Sequence, residues 1–182
     1  MDYQNLSRTV SHALRHEPWL YELELDDAGW VPLTALLAAL RVERREWRDL
    51  GLADLLEMIA RSEKKRHEID GDRIRAFYGH SLPGKLSKQQ SAPPAWLYHG
   101  TSPEVAELIQ REGLRPMGRQ YVHLSVDTET AMQVGGRKAA APVLLKVDAT
   151  AAYAAGAAFY HGNEMVWLAD EVQAEFIMLQ AK

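Results

Sequence analysis

The run His67-Glu68-Ile69-Asp70-Gly71-Asp72-Arg73-Ile74-Arg75-Ala76-Phe77-Tyr78 decides how the first half of the chain folds. His67 to Ile69 and Arg73 to Tyr78 read as two strands joined at the Asp70-Gly71 turn, a step that favours a tight hairpin. Three helical segments precede it. Residues 5–16 place Leu6, Val10 and Leu14 on one face, with Asn5 as N-cap and Pro18 limiting the far end. Leu23-Glu24-Leu25 reads as a short strand, followed by an Asp26-Asp27-Ala28-Gly29 turn and Trp30-Val31. Pro32 suits the first position of a second helix, whose stripe is Leu33, Leu36, Leu37 and Leu40. A third helix is expected over about 52–64, with Leu52, Leu55, Leu56 and Ile59 facing inward. Helices followed by a hairpin make a winged-helix domain the expected architecture of residues 1–82. That scaffold serves nucleic acids and protein partners alike.

From Ser81 to Ala95 the chain holds three prolines, a glycine and polar residues, which reads as a linker, with 83–95 as the stretch between domains. The pattern then changes. Trp96-Leu97-Tyr98 is a strand ending at His99-Gly100-Thr101, and Ser102-Pro103 opens a helix that closes at Gly113. Tyr121 to Val126 is a strand, Thr128 to Val134 a short helix and Val143 to Val147 a strand. Val166-Trp167-Leu168 and Phe176 to Leu179 add two more, while the alanine-rich stretch 149–158 has no clear period. Residues 96–182 are therefore a mixed domain, and the whole chain is α+β.

Composition sets limits on chemistry. The chain has 182 residues and no cysteine, which excludes disulfides, Cys-ligated zinc, iron–sulfur clusters and thiol nucleophiles. No apolar run approaches the roughly 18 residues of a membrane span, and Met1-Asp2-Tyr3-Gln4-Asn5 does not resemble a signal peptide. A cytoplasmic monomer is the expectation. The net charge of −4 argues against coating nucleic acid through bulk positive charge. Yet ten of the fourteen arginines lie in residues 1–92, and arginine is the better fork for phosphate oxygens.

Common cofactor signatures are missing. There is no G-x-G-x-x-G after a strand, no phosphate-binding G-x-x-x-x-G-K-[ST] loop and no H-E-x-x-H. What remains is a set of Arg and His at element ends. Arg15-His16 ends a helix, Lys64-Lys65-Arg66 ends another, and Arg119 precedes the strand that carries His123. His99 ends a strand before Gly100, where a ligand can approach the backbone closely. Thr101 and Ser102 add hydroxyls and backbone N–H groups at a helix start, a natural setting for an anion. Each residue also has an ordinary structural explanation. Cations at a helix end complement its dipole, and a buried histidine is often held only by structural hydrogen bonds.

Taken in order, the motifs are similar to those of the RNA 2′-phosphotransferase family. They are Leu6-Ser7, Leu14-Arg15-His16-x-Pro18, Gly29-Trp30-Val31, Lys64-Lys65-Arg66, Ile74-Arg75-Ala76 and Gly79-His80-Ser81. The second half adds Leu97 to Thr101, Gly113-Leu114, Tyr121 to Ser125, Val134-Gly135-x-Arg137, Pro142-Val143, and Val166-Trp167-Leu168 before Glu175-Phe176. The resemblance covers nearly the whole chain. It implies an N-terminal winged-helix lobe for RNA and a C-terminal lobe of ADP-ribosyltransferase type. It also implies removal of an internal RNA 2′-phosphate with NAD+ as a consumed co-substrate, through an ADP-ribosylated RNA intermediate. The products would be RNA with a 2′-hydroxyl, nicotinamide and ADP-ribose 1″,2″-cyclic phosphate. Eukaryotic members act after tRNA ligation.

By the same resemblance, Arg15, His16, Arg66 and Arg119 grip the phosphate and stabilise the transition state. His99, Gly100, Thr101, His123, Ser125 and Arg137 bind NAD+, and Arg75 and His80 contact RNA. No metal is expected. The chain departs from the family pattern at Phe77-Tyr78, at His67 (where phenylalanine is usual) and at Glu164-Met165 (where Asn-Gly is usual). These positions bear on RNA contact and on the nicotinamide pocket. Two other readings fit parts of the chain: an ADP-ribosyltransferase that stops after the first step, and a winged-helix RNA-binding protein without catalysis.

Overall fold

A computed structural model describes residues 1–64, 66–77, 89–117, 119–162 and 164–180. The chain divides into two compact units, Met1–Lys85 and Leu86–Lys182.

In the first unit, helix α1 spans Tyr3–Arg15 and starts two residues earlier than the sequence suggests. Asp2, not Asn5, caps it: the Asp2 carboxylate accepts from the amides of Gln4 and Asn5. The expected face is buried, with Leu6, Val10 and Leu14 fully inside. A turn of 3-10 helix, Pro18–Tyr21, follows and ends on Glu22 at φ 51°. Leu23-Glu24-Leu25 is not a strand. Both leucines are buried, but the Leu23 amide is spent on the Pro18 carbonyl and no neighbouring strand pairs with the segment. Alternating burial imitates a strand without supplying a ladder. The strand here is instead β1, Val31–Pro32, so Pro32 precedes helix α2 (Leu33–Glu43) as its cap.

Helix α3 is shorter than expected, Leu52–Ala60. Its apolar stripe stops at Ile59, and the charged run beyond it has no side chain to bury. The helix is also turned relative to the sequence reading. Leu55 and Met58 face the core, while Leu52 and Leu56 are 44% and 50% exposed. Lys64 and Arg66 therefore lie beyond the helix rather than at its end, and Lys65 is outside the described residues. The hairpin forms with its turn one residue later than read: β2 (His67–Asp70) pairs antiparallel with β3 (Arg73–Ala76), Asp70 opposite Arg73, so Gly71-Asp72 rather than Asp70-Gly71 makes the turn. Strand β1 completes a three-stranded sheet in the order β1-β3-β2. Gly71 takes φ 60° in the turn, which only glycine adopts without strain. Trp47 fills the centre of this core with Leu36, Leu40 and Leu55.

The second unit is a seven-stranded antiparallel sheet. In chain order its elements are β4 (Gln89–Gln90), β5 (Trp96–Thr101), α4 (Pro103–Glu112), β6 (Val122–Ser125), α5 (Thr128–Gly136), β7 (Val143–Asp148), α6 (Ala149–Ala154), β8 (Phe159–His161), β9 (Val166–Ala169) and β10 (Ile177–Leu179). The strand order is β10-β7-β5-β6-β9-β8-β4. Two strands escaped the sequence reading. Gln89-Gln90, placed in the linker, pairs with Tyr160-His161 of β8. The ambiguous alanine-rich stretch opens as α6, capped by the Asp148 carboxylate, and β8 follows it. Helix α4 begins and ends as its local signals require. The Ser102 hydroxyl accepts from the Val105 amide, and Gly113 stops the helix at φ 83°.

Among the described residues no helix is long and apolar enough to cross a membrane.

Candidate functional site

The first unit brings together three neighbouring features at the end of α1 and the start of β2. Arg15 is the last residue of α1 and is half-buried, and exposed His16 caps the helix. Arg66 stands one residue before β2, held by its carbonyl accepting from the Phe77 amide at 3.0 Å. Next in the chain is His67, 3% exposed, with Nε2 3.1 Å from the Ser11 hydroxyl of α1. Burial pushes the His67 imidazole down to about 4, and the nearby Arg15 and Arg66 charges push the same way. It is therefore neutral at pH 7. The sequence departure at His67 now has a physical sense: a small neutral polar ring ties β2 to α1 beside two guanidinium groups without adding a third charge.

A second cluster fixes the last turn of α1. His12 Nδ1 lies 3.0 Å from the Tyr21 hydroxyl, and His12 Nε2 lies 2.8 Å from a Glu17 oxygen. The His12 and His16 rings are 6.1 Å apart. None of His12, Glu17 or Tyr21 was singled out from sequence. The available signal was spacing, since His12 and His16 are four apart and share a helix face.

Arg75, read as an RNA contact, is in β3. Its guanidinium donates to Glu68 on β2 and lies over the Trp30 ring, 4.5 Å from the centroid. Arg73 reaches the same ring at 5.1 Å. The hairpin thus carries two arginines stacked on one indole, with Arg75 in a cross-strand ion pair. His80, the other RNA candidate, and Tyr78 lie outside the described residues.

In the second unit, His99 and Thr101 belong to β5, and His123 and Ser125 belong to β6; all four are buried. The regular pairing between these strands is confined to Tyr98 and Ser125, whereas β5 and β7 pair at six positions. Next to that single pair the His99 side chain bridges the strands: Nδ1 lies 3.1 Å from the His123 carbonyl. A carbonyl only accepts, so Nδ1 is the donor of this bond.

Gly100 has a different reason from the one suggested by sequence. A Cβ built there would lie 1.8 Å from the Ala131 carbonyl of α5. Gly135 on α5 is also confined, though less severely, with its Cβ position 2.9 Å from the Gly100 carbonyl carbon. The two glycines let a helix press directly on a strand, so the direction a Gly100 side chain would take is filled by protein rather than by a ligand. Ser102 is likewise occupied as the cap of α4. Arg119 is half-buried, and its amide donates to the Pro116 carbonyl at 3.2 Å, in the turn that leads to β6. Arg137 is the half-buried C-cap of α5. Glu164 and Met165 precede β9, with the Met165 carbonyl accepting from the Val126 amide at 3.1 Å. Among the described residues no three His, Asp or Glu side chains come together as a metal-binding group.

These features sit in a chain that matches, over residues 2–171, the model of the RNA 2′-phosphotransferase, Tpt1 / KptA family. The chain belongs to that family. It is 54% identical over 177 residues to a probable RNA 2′-phosphotransferase of Bacillus thuringiensis subsp. konkukian, an alignment covering 97% of this chain and 95% of the relative. A protein of the same description from Acetivibrio thermocellus is 49% identical over 180 residues, covering 99% and 98%. One from Hahella chejuensis is 41% identical over 175 residues, covering 95% and 92%.

Proposed function

We propose that this protein is an NAD+-dependent RNA 2′-phosphotransferase. In this reading the first unit is a winged-helix RNA lobe and the second an ADP-ribosyltransferase-like lobe, with β4 belonging to the second rather than to a linker. One observation carries it, in a chain of this family: the charges of Arg15 and Arg66 both act on the neutral, buried His67, which is tied to α1 through Ser11, with His16 on the helix cap. Two guanidinium groups beside an uncharged spacer suit a phosphate dianion, because each can give it paired hydrogen bonds.

The second unit has side chains that fit the sugar of NAD+. The His99 ring, held by its Nδ1–H to the His123 carbonyl, is assigned to a ribose hydroxyl. Thr101 and Ser125 add hydroxyls, and Arg137 is assigned to the pyrophosphate. Gly100 supports this row by holding α5 against β5. NAD+ supplies a ribose carbon bonded to a good leaving group.

The RNA 2′-phosphate is the nucleophile. One of its oxygens bonds to that ribose carbon as the carbon–nitrogen bond breaks, and the bonding electrons leave with nicotinamide. The phosphate dianion needs no proton removed, so the protein's work is positioning, which can supply much of the rate. In the second step the adjacent 2″-hydroxyl oxygen bonds to phosphorus and the bond to the RNA 2′ oxygen breaks. The hydroxyl proton is made good on the RNA oxygen, giving a 2′-hydroxyl and ADP-ribose 1″,2″-cyclic phosphate. Negative charge shifts across the phosphoryl group here, and Arg15, His16, Arg66 and Arg119 are assigned to it.

The partners are RNA bearing a 2′-phosphate and NAD+. Incubation with NAD+ and an oligonucleotide carrying one internal 2′-phosphate should release nicotinamide and leave a 2′-hydroxyl. A stable ADP-ribosylated RNA would point to a transferase that stops after step one. No nicotinamide release from folded protein would refute both.

A further inference from the structure

A cleft of about 670 Å³ runs between the start of α1 and the chain that follows α3. Its size lies within the roughly 300–1,000 Å³ of ligand clefts. Buried Met58 contributes to its wall, and Tyr3 lies beside it. Four cations line it, Arg8, Arg61, Lys64 and Arg66, against two acids, Asp2 and Glu63.

The charges are not equally available. The Asp2 carboxylate is engaged with the Gln4 and Asn5 amides as the cap of α1. Arg61 is held by Glu57 at 2.7 Å and lies over the Tyr3 ring, 4.8 Å from its centroid. Arg8, Lys64 and Arg66 are exposed, and among the described residues no hydrogen bond or ion pair engages their side chains. Three cations around one cleft repel one another, and an anion placed among them relieves that repulsion. The Arg61–Tyr3 stack adds a flat surface of the kind on which bases stack.

We propose that this cleft is a subsite for the RNA strand flanking the modified nucleotide, with Arg8 and Lys64 contacting its phosphodiesters. The proposal rests on the reading above, because Arg66 belongs both to this cleft and to the proposed 2′-phosphate set. That shared residue favours a continuous strand over a separate small anion. Free nucleotides carry the same phosphate chemistry and are the alternative to be tested.

The test uses the full chain with Arg8→Glu, Lys64→Glu and the double variant. Fluorescence anisotropy with an unmodified single-stranded RNA reads the cleft without requiring turnover. Each change should weaken binding about five- to ten-fold at low salt, and the salt dependence of log affinity should flatten by about 0.7 per cation removed. With 2′-phosphorylated substrates, the variants should lose the KM advantage of a long oligonucleotide over a dinucleotide. Unchanged RNA binding and an unchanged length advantage would overturn the proposal. Competition by a mononucleotide as strong as that by the strand would overturn it too, in favour of a small-anion site. If the wild type binds RNA through these residues but never consumes NAD+, the catalytic reading fails and the cleft stands.

Discussion

The two compact units hold their candidate residues in opposite ways. In the first, Arg15, His16 and Arg66 stand where helices and strands end. In the second, His99, Thr101, His123 and Ser125 lie inside β5 and β6 and are buried. Arg119 and Arg137 follow the first pattern even in the second unit, since both sit at element ends. The difference follows from solvation. A guanidinium loses too much hydration inside a sheet unless a carboxylate accompanies it, as Glu68 accompanies Arg75 within the hairpin. Neutral hydrogen-bonding groups can be buried and gain rigidity from the ladder. The charged candidates therefore lie at element ends, and the uncharged hydroxyls and imidazoles lie inside the ladder.

The largest test of this contrast is Gly100→Val. The side chain would collide with the α5 backbone, so the strand and helix must separate, at a cost of about 3 kcal/mol or more. Gly71→Ala, in a turn with open space around it, should cost only about 1 kcal/mol from its positive φ. Thermal unfolding of both variants checks this, and similar losses would show that Gly100 is not confined as described.

Next come the edge cations. Arg15→Ala and Arg119→Ala should each lower kcat/KM about 100- to 1,000-fold. Step two should suffer at least as much as step one, so ADP-ribosylated RNA should accumulate on a denaturing gel. Wild-type rates would remove these residues from the site.

His67 tests the spacer role. Its pKa is depressed in the fold, so the unfolded chain takes up the proton first as pH falls. The contribution to stability is fully present above about pH 6.5 and is lost as pH falls toward about 4, on the order of 3 kcal/mol in all. Urea unfolding across this range should show a steeper loss for the wild type than for His67→Phe. Parallel curves would mean that the ring is not held neutral by its surroundings. The smallest effect on activity is expected at His99: His99→Ala should raise KM for NAD+ about ten-fold while KM for RNA stays unchanged. A shift in KM for RNA alone would contradict the assignment of β5 to the sugar.

Local signals explain what could be read before the structure. The hairpin at Gly71, though one residue later than read, and helix α4, begun at Pro103 and stopped by Gly113, form where glycine and cap residues direct them. Leu23-Glu24-Leu25 failed because alternation reports burial and says nothing about a pairing partner. Phe159–His161 was missed because the alanines before it have no period, it is only three residues long, and one of its two partners, β4, is about 70 residues away in sequence. The same limit applies to the site. Arg15 and Arg66 could be named from motifs, but the link between Ser11 and His67 spans 56 residues and exists only in the fold. Asp2 was overlooked as a cap because Asn5 is an equally good capping residue.

The most direct measurement follows the phosphorus atom. An oligonucleotide with a radiolabelled internal 2′-phosphate is incubated with the protein and NAD+, and the products are separated. The label should leave the RNA only when NAD+ is present and should appear in a cyclic phosphate of ADP-ribose. Label released as inorganic phosphate, or released equally without NAD+, would contradict transfer to the dinucleotide.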